Sequence, residues 1–144
     1  MLDFILLDGD KAVFVPAFGV AMVVVKDGVL AGQGGATLAG TKVCIDGDEM
    51  QLKVEGCDYA VPAMGLVDGK GTLKILALGP DQRASKTHSN HKPVLLKGSV
   101  FQAQFSVTKP AQTPPGVIPP LADAIPLHVG TGSFKTENRK FKGT

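Results

Sequence analysis

The feature that most constrains this chain is its punctuation. Its 144 residues include 18 glycines and 10 prolines. Glycine opens left-handed and tightly turned backbone, and proline removes a ladder donor and fixes φ. No stretch between them carries a helical period of useful length. What remains is a series of short runs rich in β-branched and aromatic residues, each closed by a turn. Such a chain folds as an all-β body of short hairpins, and no collagen-like repeat of glycine competes with that reading.

The runs can be placed. Lys11–Val15 and Val20–Val25 read as strands, and Lys26-Asp27-Gly28 reads as a hairpin turn before Val29-Leu30. Four glycines between Gly32 and Gly40 predict irregular backbone. Thr41–Ile45 and Met50–Glu55 read as a strand pair around Asp46-Gly47-Asp48. Gly65–Gly71 is turn chemistry centred on Asp68-Gly69, followed by a mostly apolar strand at Thr72–Leu78. Gly79–His91 reads as a polar loop, Pro93–Leu96 as a short strand and Lys97-Gly98 as a turn. Phe101–Val107 alternates cleanly, with Phe101, Ala103, Phe105 and Val107 on one face and Gln102, Gln104 and Ser106 on the other. Six of the ten prolines fall between Pro110 and Pro126, which predicts a Pro-rich loop over residues 110–126. Residues 130–144 read as a polar C-terminal strand or tail. The length fits a single domain over residues 1–144.

Composition narrows the function. A net charge of +2 argues against a nucleic-acid partner, which calls for a basic excess on one face. With no Trp and a single Tyr, a sugar site of stacked aromatics has little to stand on. The opening MLDFILLDGDK places Asp3 where a signal peptide carries Lys or Arg, so synthesis and assembly in the cytoplasm are expected. The longest apolar stretch, Ala12–Val25, is broken by Pro16 and Gly19 and is too short to span a bilayer as a helix.

One internal echo stands out. Val43-Cys44-Ile45-Asp46-Gly47, followed by Met50-Gln51, matches Val94-Leu95-Leu96-Lys97-Gly98, followed by Phe101-Gln102, at a constant offset of 51 residues. Duplicated hairpin units stabilise each other by stacking apolar faces.

Chemistry-bearing constellations are few. Gly35 and Gly40 have phosphate-loop spacing, but Thr41-Lys42 stands in the wrong order and a strand pattern follows instead of a helix. Cys57-Asp58 lacks an activating environment, and there is no nucleophile elbow. The aspartates sit in Asp-Gly turns, where turn chemistry places them. His88 and His91 flank Ser89-Asn90 and could reach one ion, with Cys57 or Cys44 as a sulfur ligand. His88, His91, His128 and Cys57 are the candidate metal set, and one zinc or iron ion is the cofactor it would take. The alternative is solvated loop histidines and two reduced core thiols.

The chain resembles the PAAR-like proteins that tip the spikes of contractile injection machines, among them type VI secretion systems and phage tails. The residues that carry the resemblance are GQGGATLAGTKVCIDGDE (Gly32–Glu49), VEGCDYAVPAMG (Val54–Gly65), GKGTLKILAL (Gly69–Leu78), HKPVLLKGSVFQAQF (His91–Phe105), the Pro-rich stretch and the ending GTGSFKTENRKFKGT. The Pro-Ala-Ala-Arg string itself is absent; the nearest strings are Val15-Pro16-Ala17-Phe18 and Val61-Pro62-Ala63-Met64. The resemblance implies a compact cone or β-prism that caps a trimeric spike protein (VgrG-like or phage-hub-like), one tip per trimer, and helps pierce a target envelope. It implies no enzymatic role, effector proteins as further partners, and a zinc near the apex held by three histidines and a cysteine. A small β-barrel binding module or a β-fold hydrolase is the competing reading.

Overall fold

The computed structural model describes residues 2–144. Among them the only helical pieces are two single 3-10 turns, Asp48–Gln51 and Pro62–Met64. The strands are β1 (Asp3–Phe4), β2 (Lys11–Phe14), β3 (Ala17–Phe18), β4 (Ala21–Val23), β5 (Gly28–Val29), β6 (Thr37–Leu38), β7 (Thr41–Lys42) and β8 (Lys53–Val61). They continue with β9 (Leu66–Ala77), β10 (Arg83–Ser89), β11 (Lys92–Leu95), β12 (Phe101–Lys109), β13 (Leu127–Lys135) and β14 (Lys142–Gly143). The all-β class read from the sequence is the class observed.

The body is built from three antiparallel hairpins. In the first, β2 and β3 are one run interrupted by Pro16, and β4 and β5 are the returning run. Lys11 pairs with Val29 and Phe18 with Ala21, and between them the Val23 N–H donates to the Pro16 carbonyl at 3.0 Å. The second hairpin is β8–β9 and the third β12–β13. Each packs its returning strand on the first strand of the next: β4 on β8, β9 on β12, β13 on β2. The sheet order is β3-β4-β8-β9-β12-β13-β2-β5. Both outer members of that order belong to the first hairpin, so the sheet curls until it meets itself. Closure removes the free edges that an open sheet would present.

Its interior is filled. Phe18, Phe101, Phe105, Leu66 and Leu73 are fully buried, and the inward face read for Phe101, Ala103 and Phe105 is the observed one. The Tyr59 and Phe105 rings meet edge to face with centroids 5.0 Å apart, a favoured aromatic geometry.

One end of the barrel is covered by three smaller antiparallel pairs, β6–β7, β10–β11 and β14–β1. A second apolar cluster lies there, formed by Ile5, Val43, Ile45, Ala84, Val94 and Leu96. Leu6, Cys44 and Leu95 alternate with these and face the main core. These strands are therefore buried on both faces, which is why they read as the unbroken apolar runs Ile-Leu-Leu, Val-Cys-Ile and Val-Leu-Leu.

Four local expectations are corrected. Lys26-Asp27-Gly28 does not join β4 to β5 as partners; the two lie end to end on one strand line, opposite β3 and β2. The segments around Asp46-Gly47-Asp48 do not pair with each other, because Ile45 bridges to Val94 and Lys53 pairs with Lys74. The turn read at Gly65–Gly71 sits earlier, at Pro62–Gly65, and β9 runs straight through Asp68. Gly79–His91 is a strand over most of its length: Arg83–Ser89 forms β10, with Ala84 and Ser89 buried and a bulge between Arg83 and His88 breaking the alternation. In the Pro-rich segment the only ladder contacts are isolated bridges at Gln112 and Ala122.

Candidate functional site

At the centre of the covered end, three chain segments meet in a cyclic hydrogen-bond pattern. The Leu6 N–H donates to the Leu95 carbonyl, the Leu95 N–H to the Cys44 carbonyl, and the Cys44 N–H to the Leu6 carbonyl, each at 2.9 Å. Two residues on, the pattern recurs. Asp8 donates to Lys42 at 2.8 Å, Asp46 to Pro93 at 2.8 Å, and Lys97 to Phe4 at 2.9 Å. The bridges Leu7 to Val43, Ile45 to Val94 and Leu96 to Ile5 complete the set. Residues 6, 44 and 95 are thus equivalent around a pseudo-threefold axis.

The equivalence extends through the chain. Each segment arrives from a cap pair at the same register: Lys42 opposite Thr37, Pro93 opposite His88, Phe4 opposite Lys142. Each leaves through a glycine at positive φ, Gly9 at 91°, Gly47 at 103° and Gly98 at 55°, where a side chain is strained. Each then enters a barrel hairpin. The echo between residues 43–47 and 94–98 is therefore two-thirds of a triplication. The copy that sequence reading missed is Ile5-Leu6-Leu7-Asp8-Gly9, 38 residues before Val43-Cys44-Ile45-Asp46-Gly47. Its signal was present: three apolar residues followed by Asp-Gly. Asp10 and Asp48 even repeat one job, accepting the Leu7 and Ile45 N–H groups at 2.7 and 2.8 Å.

The candidate metal residues are distributed over this frame. His88 lies on β10, exposed, its Nδ1 3.3 Å from the Lys86 carbonyl, and His91 occupies the tip of the same hairpin at φ 63°. His128 is buried on β13 and Cys57 is buried on β8, its thiol against the Val54 carbonyl. Cys44 lies on the threefold ring, and both cysteines are free thiols. Burial, with Asp48, Asp10 and Asp8 nearby, pushes the Cys44 thiol far up; burial likewise raises Cys57. Among the described residues no three His, Cys, Asp or Glu converge as a metal-holding group. The donors of this chain do not fit the apical zinc that the resemblance implies.

His128 has another occupation. Its Nε2 lies 2.8 Å from Asp123 Oδ2, the Tyr59 hydroxyl donates to the same oxygen at 2.7 Å, and the Ala111 N–H donates to the Tyr59 oxygen at 3.0 Å. Burial drives the Tyr59 phenol up to about 12. Burial pushes the Asp123 carboxyl up too, but the hydrogen bonds from Tyr59, His128 and the Ile125 N–H outweigh it, and the group ends below its ordinary range. This cluster ties the Pro-rich segment to two barrel strands.

Against this geometry, the family model described as contractile injection system spike tip protein matches residues 1–144. The chain belongs to that spike-tip family. Comparison with curated proteins gives no match. The resemblance read from the glycine turns and hairpin order is to the same kind of protein. As a spike tip the chain associates with the central spike of an injection apparatus. Among its described residues, no helix is long and apolar enough to cross a membrane.

Proposed function

We propose that this spike tip is a non-enzymatic cap that seats on a trimeric central spike, one copy per trimer, and helps open the target envelope. One observation carries the reading: a single chain builds three equivalent segments around one axis, closed by the cyclic bonds of Leu6, Cys44 and Leu95. Closed assemblies match symmetry to symmetry. A monomer with three similar sectors can meet three identical spike chains with three similar contacts, whereas an asymmetric monomer could satisfy only one. Among the described residues the packed barrel interior, filled by Phe18, Phe101 and Phe105, leaves no central ligand cavity of the kind a barrel binding module uses.

Native mass spectrometry of the tip mixed with the recombinant spike protein of the same injection system tests this. One tip per three spike chains is the expected composition. One tip per spike chain would reject the single cap.

A further inference from the structure

The two ends of the threefold axis differ in chemistry. At the covered end, the outer strands and tips of the three cap pairs are residues 37–42, 86–92 and 139–143. They hold Lys42, Lys86, Lys92, Arg139, Lys140 and Lys142, against Asp3 on β1 and the neighbouring Glu137. At the opposite end lie the turns of the three barrel hairpins: Gly19-Val20, Pro62–Gly65, and the long third turn over residues 110–126. Their one charged residue is Asp123, which is buried in its cluster with Tyr59 and His128. Each of the three turns instead exposes a large apolar side chain: Val20 at 53%, Met64 at 56% and Ile118 at 89%.

We propose that this apolar turn end is the face that seats on the trimeric spike, with Val20, Met64 and Ile118 as its three contacts, and that the cationic cap end points away from the spike. The inference rests on the capping function proposed above and assigns its orientation. Covering the turn end removes apolar surface from water, and the charges beside it are Asp68 and Lys109, which flank the third turn, whereas covering the cap end would desolvate six cations and would require matching carboxylates from the partner. The three contacts come from equivalent turns, so they face three identical chains in turn. A cationic leading end also suits the anionic surfaces that envelopes present, by long-range attraction. The enlarged third turn makes one contact wider than the others, and the Tyr59–Asp123–His128 cluster holds that turn in place.

The experiment pulls the tip down with the recombinant trimeric spike protein of the same injection system. It compares Val20→Glu, Met64→Glu and Ile118→Glu with a Lys86→Glu/Lys92→Glu control. All five positions are solvent-facing, and a melting curve on each variant confirms folding; Met64→Ser and Ile118→Ser replace any glutamate variant that melts early. Loss of spike affinity by about tenfold or more in the turn variants, with the control unchanged, is the expected result. Loss in the control alone would overturn the orientation and leave capping intact. A wild-type tip that fails to bind the spike would instead reject capping itself. Turn variants that keep the spike but lose binding to phosphatidylcholine vesicles would overturn the proposal in favour of a lipid-inserting end.

Discussion

Tyr59→Phe removes one oxygen and leaves the ring. The Phe105 contact at 5.0 Å and the packing around it survive, so the change isolates the hydroxyl. That oxygen serves two partners, accepting from the Ala111 N–H and donating to Asp123. Asp123 keeps the His128 ring and the Ile125 N–H, so its loss is partial. Ala111 is fully buried, and its N–H has no other hydrogen-bond partner. An unsatisfied buried donor costs about 1–3 kcal/mol, and the lost bond to a carboxylate adds about 1 kcal/mol. The sum of roughly 2–4 kcal/mol translates, at about 2–4 °C per kcal/mol for a chain of this size, into a melting temperature lower by roughly 5–15 °C. The loss is local in origin, so amide exchange should accelerate first in residues 110–126. The assay is a thermal melt paired with hydrogen exchange resolved to that segment. A melting temperature unchanged within error, with exchange in 110–126 also unchanged, would show that the cluster does not fasten the loop.

Phe105→Ala should cost about 3–5 kcal/mol by chemical denaturation, since the ring is fully buried between Phe18 and Tyr59. Gly47→Ala should cost about 1–2 kcal/mol for its positive φ alone, because a methyl there meets nothing within 4 Å. Gly98→Ala should cost more than its equivalent, because its methyl would lie 2.8 Å from the Asp81 carbonyl oxygen; equal melts would refute that distinction. The depressed Asp123 carboxyl contributes stability that is present above the ordinary carboxylate range and lost as pH falls through its lowered folded-state value. Denaturant midpoints should therefore fall on acidification, and Asp123→Asn should flatten that part of the profile. Protein purified without an affinity tag should contain no stoichiometric zinc or iron and melt independently of chelator; a metal-dependent melt would show that His88, His91, His128 and Cys57 converge in solution after all.

Which strands exist was legible where one face is buried and the other wet. β12 could be read residue by residue because Gln102, Gln104 and Ser106 mark its outer side. Partners were harder to see. Lys26-Asp27-Gly28 has hairpin chemistry, yet Val23 lies opposite Tyr59 and Gly28 opposite Ala12, and those pairings are set by the barrel. β10 was hidden because its exposed side carries Arg83, Ser85, Lys86 and His88, and only Ala84 and Ser89 go inward. The triplication was two-thirds visible. Its third copy escaped because Ile5-Leu6-Leu7 sits at the start of the chain, where its cap partner β14 is supplied from residues 142–143. The pairing of His128 with Asp123 had no sequence signal beyond proximity, since a buried histidine and a solvated one look alike in a string of letters.

Ring closure has a kinetic consequence. The first hairpin cannot complete its surroundings until β13 exists, because Phe14 pairs with Gly132 and Lys11 with Lys135. During synthesis, Phe14 and Phe18 therefore emerge early and wait for nearly the whole chain before their final neighbours arrive. Non-local closure of this kind places folding among the slow topologies, on the order of milliseconds to seconds. While they wait, the apolar turns and unpaired strand edges of the first two hairpins are open to wrong partners, including other nascent copies. A cell that builds this part must keep it apart from its assembly line until the last barrel strand has left the ribosome.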